Sequence, residues 1–258
     1  MKILVCIKQV PDLESRFKPN AAGVWFDEAD LAWRMNEYDE YAVEEAVRLR
    51  EQLGDTAELT VLSIGPDRVV EALKKALAMG CDRAVHIQDA AAAQKDPWQI
   101  ADIIATYAGG KGYEVIFTGM QSQDRGSAQV GVTLAERLSI SCVTTLVGFA
   151  YSDGVITAKR ELEGGIKGVV KLHIPALVTC QLGLNVPRYP TLPNIMKAKK
   201  KEIEAIPVAS LSSDNPRATT QRFYPPAKKG GGLVLEGDVA TLVEQLFTIL
   251  KDKTAVLR

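Results

Sequence analysis

The chain is poor in the residues that mark redox, metal and disulfide chemistry. Its four cysteines, Cys6, Cys81, Cys142 and Cys180, are widely spaced, form no Cys-x-x-Cys pair and mostly lie in or beside apolar runs. They read as small buried hydrophobes. Only two histidines occur, His86 and His173, each in a strand-like setting. No cluster therefore has metal-ligand spacing, and neither histidine has a nucleophile close to it in sequence. An excess of one charge is missing too. Lys and Arg number 31 against 32 Asp and Glu, which gives no overall field to hold nucleic acid or an anionic membrane. No apolar run approaches the ~20 residues of a membrane span, and Lys2–Lys8 reads as a strand rather than a signal peptide. The expectation is a cytoplasmic protein with no nucleic-acid partner and no direct membrane insertion. Neither Gly-x-Gly-x-x-Gly after a strand nor Gly-x-x-x-x-Gly-Lys-Ser/Thr occurs, so the dehydrogenase and P-loop readings lose weight.

What is present is enough apolar material, 47% of 258 residues, for one large core with or without an appendage. Short apolar runs at 3–7, 59–64, 84–87, 115–118 and 176–179 read as buried strands. Segments 37–53, 67–79, 98–108 and 127–138 between them carry helical spacing, as in Ala42, Ala46, Leu49 and Leu53. This alternation predicts an α/β fold, a mainly parallel sheet with helices on both faces. From about Val143 to Lys171 the rhythm becomes antiparallel, with Ser152-Asp153-Gly154 as a hairpin turn and Gly164-Gly165 as a second break. After Ile206 the chain turns to Ser, Thr, Pro and charge, then to Gly230-Gly-Gly232 and an amphipathic helix opened by Asp238. The expected organisation is an α/β domain over 1–206 and an extended C-terminal arm with a helix over 207–258, which packs against a separate subunit or folds back on its own sheet.

The stretch 185–201, Asn-Val-Pro-Arg-Tyr-Pro-Thr-Leu-Pro-Asn-Ile-Met-Lys-Ala-Lys-Lys-Lys, sets apolar side chains beside a cation cluster. Pro187, Pro190 and Pro193 fix φ and remove N–H donors, so the segment cannot be an interior strand. It reads as a stiff docking loop. Leu192 and Pro193, with Ile195 and Met196 behind, suit a partner's pocket, while Lys197, Lys199, Lys200 and Lys201 steer an acidic surface. The plainer reading is a loop leading into a charged, solvated helix.

The polar loop 119–131, Gly-Met-Gln-Ser-Gln-Asp-Arg-Gly-Ser-Ala-Gln-Val-Gly, follows one strand and opens a helix. Amides of Gly126, Ser127, Ala128 and Gln129 there are placed to cradle a phosphate. Gly119 and Gly126 permit close backbone approach, while Gln121, Asp124, Ser127 and Gln129 supply side-chain partners. Ligands of open parallel sheets lie beyond the carboxyl ends of the strands, so the loops after Cys6, Ile64 and Thr118 should converge on one crevice bordered by Asn36–Asp39. Glu44-Glu45 and Glu161/Glu163 read as solvated acid pairs, and no catalytic constellation is visible.

Pro-Arg-Tyr-Pro-Thr-Leu-Pro-Asn-Ile-Met-Lys-Ala-Lys-Lys-Lys closely resembles the recognition loop of the beta subunit of electron transfer flavoprotein. Arg160-Glu-Leu-Glu-Gly-Gly165, Pro175-Ala-Leu-Val-Thr179, Leu184-Asn185, Met35-Asn36 with 42–50, and Ala76–Gly80 are similar to further family blocks. The resemblance runs from Met1 to about Ile206. It implies an adenine nucleotide alpha hydrolase-like fold and a heterodimer whose alpha subunit holds most of a single redox-active FAD. It further implies AMP bound at Cys6, Asn36, Glu37, Tyr38, Asp39 and Ile64, with its phosphate at Gly119–Val130. Leu192 would be the anchor on acyl-CoA dehydrogenases of fatty acid beta-oxidation, and a membrane-associated quinone oxidoreductase would take the electrons onward. The chain would then be an electron carrier and not an enzyme. Leu13, after Pro11-Asp12, stands where many relatives carry an aromatic residue against the flavin. Ala128-Gln-Val-Gly131 is similar to the bifurcating branch, whose beta subunit holds a second FAD in place of AMP and takes electrons from NADH. A stand-alone ATP-binding sensor or adenylate-transferring enzyme would need a catalytic loop that the residues do not supply.

Overall fold

The computed structural model describes residues 1–211, 215–227 and 230–254. Strand β1 (Lys2–Ile7) is followed by a short antiparallel pair, β2 (Gln9–Pro11) and β3 (Trp33–Met35), and by helix α1 (Glu37–Leu53). Three acids, Glu37, Asp39 and Glu40, fill the first turn of α1, where the helix dipole favours negative charge. Then come β4 (Glu58–Gly65), α2 (Val70–Met79), β5 (Arg83–Gln88), α3 (Pro97–Ala108), β6 (Val115–Gly119) and α4 (Val130–Leu138). Helix α3 starts sharply because Asp96 and Gln99 form a reciprocal capping box with Pro97 in the first turn.

Strand β7 (Ser141–Ser152) pairs antiparallel with β8 (Val155–Glu161), and β8 with β9 (Lys167–His173). Asp153 and Gly154 both have positive φ, 50° and 79°, the two-residue turn geometry that matches the twist of its flanking strands. Strand β10 (Ala176–Cys180), helix α5 (Leu192–Lys200) and strand β11 (Ile203–Pro207) complete the domain. The nine-stranded sheet runs β11-β5-β4-β1-β6-β10-β7-β8-β9, parallel from β11 to β7 and antiparallel thereafter.

Alternation along β1 shows how the sheet is covered. Ile3, Val5 and Ile7 join one apolar cluster with Val43, Val47, Leu73 and Ala76 of α1 and α2. Leu4 and Cys6 join the other with Ile103, Ile104 and Leu134 of α3 and α4. Helices thus lie on both faces, as the strand–helix rhythm predicts.

Two compact units result, the first from Met1 to Phe223. Residues 215–223 belong to this first unit. The Ala218 amide donates to the Asp96 carboxylate at 2.8 Å, and Phe223 stacks edge-on against Phe26 with ring centres 5.2 Å apart. The second unit begins at Tyr224 and contains α6 (Val239–Lys253), capped by the Asp238 carboxylate on the Thr241 amide. None of the α6 residues is buried.

Candidate functional site: a crevice at the switch of the sheet

From β1 the chain steps outward to β4 and β5, then returns to β6 on the other flank of β1. Such a reversal leaves a crevice past the carboxyl ends of the two central strands. Parallel register sets Cys6 level with Leu62 on one side and Thr118 on the other. The crevice above them is lined by Cys6, Asn36, Asp39, Ile64, Gly119, Gln121, Asp124, Ser127, Ala128, Gln129 and Val130. These expected residues do meet in one place. Gly126, Glu37 and Tyr38 stand one layer back: the Gly126 amide donates to Ser122 O at 2.8 Å, Glu37 accepts from Gln123 Nε2 at 2.8 Å, and the Tyr38 hydroxyl accepts from Gln121 Nε2 at 3.1 Å.

Helix α4 begins at Val130, not at Ser127 as the sequence spacing suggests. The reason lies in the loop. Gly126 and Ala128 both have positive φ, 59° and 52°, a conformation that breaks the helical path and costs an alanine about 1–2 kcal/mol. Among the described residues, the amides of Ser127, Ala128, Gln129 and Val130 have no protein acceptor. Four outward N–H groups at a helix start suit an anion. Thr118 Oγ1 and Gln9 Oε1, both buried in residues that line the crevice, also have no hydrogen-bond partner. Leu62, Ile64, Val69, Ile100 and Ile104 form apolar walls, so the crevice sets anion-ready donors beside an apolar surface.

The loop is fixed from below by the start of α1. Asn36 donates through Nδ2 to Gln121 O at 2.9 Å and accepts the Gln123 amide at 2.9 Å. Asp39 accepts the Lys8 amide at 2.7 Å and the Gly119 amide at 3.1 Å, tying the end of β1 to the end of β6. Only glycine fits at 119, because a Cβ there would sit 2.2 Å from Asp39 Oδ1. Burial pushes the Asp39 carboxyl up to about 7, against partial relief from those two amides, the Asn36 side chain and the Lys8 charge. Lys8 Nζ pairs with Asp124 at 2.6 Å, and burial holds that ammonium below its ordinary range. Arg125 donates to Ala93 O and lies over the Trp25 ring, 4.4 Å from its centre. Arg68 stacks on Trp33 at 3.7 Å and pairs with Glu28 at 3.2 Å. The arm 12–32 therefore forms a wall of the crevice. Sequence reasoning missed it, and the aromatic pair Trp25-Phe26, with Trp33 just beyond the arm, was the available signal.

The segment 185–201 is half loop and half helix. Thr191 caps α5 by accepting the Asn194 amide at 3.4 Å, so Leu192 opens the helix and Pro193 follows it. A proline in the first turn loses no hydrogen bond, which is why the third proline of the segment stiffens a helix and not a loop. Leu192 is 73% exposed, Met196 52%, and Ile195 and Pro193 are also open to solvent. Lys197 and Lys200 are exposed beside them. The single inward residue is Ala198, with α5 against α2.

What holds this segment down is the pair taken from sequence as solvated, Glu44 and Glu45, which are in fact buried. Glu44 accepts from Arg188 Nε at 2.8 Å and from Arg48 Nε at 2.8 Å. Arg188 also reaches Glu51 at 2.6 Å. Burial alone would raise the Glu44 carboxyl, but the Arg188 and Arg48 bonds outweigh it and hold it below its ordinary range. Asn185 donates to Tyr41 O at 3.0 Å and to Glu45 Oε2 at 2.9 Å. One helix, α1, thus anchors both the crevice loop and the exposed segment.

Among the described residues, no helix is long and apolar enough to cross a membrane, and no group of three or more His, Cys, Asp or Glu is placed to hold a metal ion. Fold and site define a class: a doubly wound α/β protein with an anion-ready crevice at the strand reversal and an exposed apolar helix braced by buried acids. Residues 23–211 match the family model described as electron transfer flavoprotein domain. The chain is 37% identical to the electron transfer flavoprotein subunit beta of Bacillus subtilis (strain 168), covering 100% of both chains. It is 34% identical to that of Methylophilus methylotrophus over 98% of each, and 35% identical to that of Mus musculus over 92% of this chain and 93% of the other. The chain belongs to the electron transfer flavoprotein family, among its beta subunits.

Proposed function

We propose that this chain is the non-catalytic half of a heterodimeric electron carrier, working with an electron transfer flavoprotein alpha subunit. FAD, held mainly by the alpha subunit, supplies the one- and two-electron chemistry. AMP sits in the crevice as a structural ligand, its phosphate on the amides of Ser127–Val130 and its base among Cys6, Ile64 and Leu62. Acyl-CoA dehydrogenases donate the electrons, and a membrane-associated quinone oxidoreductase accepts them.

The observation that carries this reading is the exposed, braced apolar face of α5. Leu192, Ile195 and Met196 stand in solvent on a capped helix, beside cations that steer acidic partners. The apolar stripe of α6, with Val239, Val243, Leu246 and Phe247 exposed, supports packing of the C-terminal arm on the alpha subunit.

A second reading follows from Ala128-Gln-Val-Gly131: a bifurcating complex in which the crevice holds the adenylate end of a second FAD and NADH is the donor. Mass spectrometry of nucleotides released from the purified heterodimer tests both. One FAD and one AMP support the simple carrier. Two FAD and no AMP support bifurcation, and a colourless monomer would overturn both.

A further inference from the structure

The crevice contains a buried carboxyl group that, among the described residues, makes no ion pair. Asp39 is 5% exposed, and its oxygens take up the Lys8 and Gly119 amides. Among the described residues it has no ion pair with lysine or arginine. The ammonium of Lys8 is committed to Asp124 at 2.6 Å, and Arg125 is drawn away to Ala93 O and the Trp25 ring.

Two neighbours favour the charged form only in part: the Asn36 side chain through a hydrogen bond and the Lys8 ammonium through its field. Cys6 on β1 and Cys180 on β10 are buried thiols, kept neutral by desolvation, with Asp39 adding to the effect at Cys6 and Glu45 and then Asp39 at Cys180. Glu37 on the same helix is bonded to Gln123. Two amides, the Asn36 side chain and the field of Lys8 together offset its burial only in part, and the carboxyl is pushed up to about 7.

The same crevice presents to an anion four amides that have no acceptor among the described residues. A phosphate entering it brings like charge into a low-dielectric space that Asp39 also lines. Like charges sharing a site raise the proton affinity of the weaker acid.

We propose that Asp39 couples binding of a phosphate-bearing adenine nucleotide to uptake of one proton from solvent onto its carboxylate, so that the crevice takes in its anion together with H⁺. This rests on the nucleotide reading of the crevice. By linkage, whatever proton the ligand draws in must in turn favour the ligand as pH falls.

The test is titration calorimetry of AMP into the nucleotide-free heterodimer, in two buffers of different ionisation enthalpy at pH 7.5, for wild type and Asp39→Asn. Wild type takes up a substantial fraction of a proton more per AMP than the variant. The second proton of the AMP phosphate titrates near about pH 6 and is common to both proteins, so it cancels. Wild-type affinity falls up to about tenfold from pH 7 to 8, and Asp39→Asn binds several-fold more tightly than wild type at pH 8 while matching it at pH 6. Equal proton counts, or a variant weaker at every pH, would overturn the coupling and leave Asp39 a charged staple. Should the variant not fold, the wild-type slope decides, and a flat affinity from pH 7 to 8 overturns the proposal. AMP that binds without proton uptake removes this inference alone, whereas no AMP binding removes the nucleotide reading and this inference with it.

Discussion

The crevice and the exposed α5 segment are built on opposite plans, although α1 anchors both. The crevice is made of backbone: free amides, left-handed loop residues and a glycine that no side chain can replace. The α5 segment is made of side chains: apolar groups in solvent, held from beneath by arginine–carboxylate bonds. Main-chain sites tolerate little substitution because geometry is their chemistry. Side-chain surfaces instead divide labour between residues that brace and residues that touch.

The largest expected effect sharpens the first half of that contrast. Gly119→Ala drives a Cβ to 2.2 Å from Asp39 Oδ1 and 2.8 Å from Tyr38 Cβ. It should lower stability by about 1–3 kcal/mol and release the proposed crevice nucleotide, read by the denaturation midpoint and by nucleotide content. Unchanged values on both would remove the close-approach argument.

Arg188→Ala comes next, because it strips Glu44 of the bonds that offset its burial. A cost of about 1–3 kcal/mol is expected, with weaker transfer from dehydrogenases and unaltered nucleotide content. The same brace is sensitive to acid. Since the folded carboxyl of Glu44 lies below its ordinary value of 4.5, its contribution is present above that value and lost as pH falls further. Stability curves of wild type and Arg188→Ala should therefore converge in strong acid.

Leu192→Ala should leave stability unchanged and weaken dehydrogenase docking by about 2 kcal/mol, seen as a raised KM for the dehydrogenase in steady-state transfer. If it destabilises the fold instead, the division between bracing and touching fails. Smallest is the paired change Lys197→Gln and Lys200→Gln. A few-fold loss in association rate that vanishes at high salt is expected from exposed steering charges, measured by stopped flow.

Much of this was legible in the sequence because it is written locally. Helix α1 spans Glu37–Leu53 as the spacing of Ala42, Ala46, Leu49 and Leu53 implies, and the Asp153-Gly154 turn sits where the rhythm changes. What resisted reading depends on distance along the chain. Glu44 resembles any acid on a helix until Arg188, 144 residues away, lies on it. The start of α4 is displaced by backbone conformation at Ala128, which composition does not encode. Strand β11, mostly open to solvent at the sheet edge, lacks the apolar run that betrays a central strand.

The bare stripe on α6 carries a consequence for the cell. Phe247 is 59% exposed and Val239 77%, a greasy ribbon that water tolerates poorly and that invites sticking between copies. Molecules made in excess of whatever shields that ribbon are candidates for clumping or for destruction by proteases. Under the proposed heterodimer, matched synthesis of the two polypeptides would then set how much carrier accumulates.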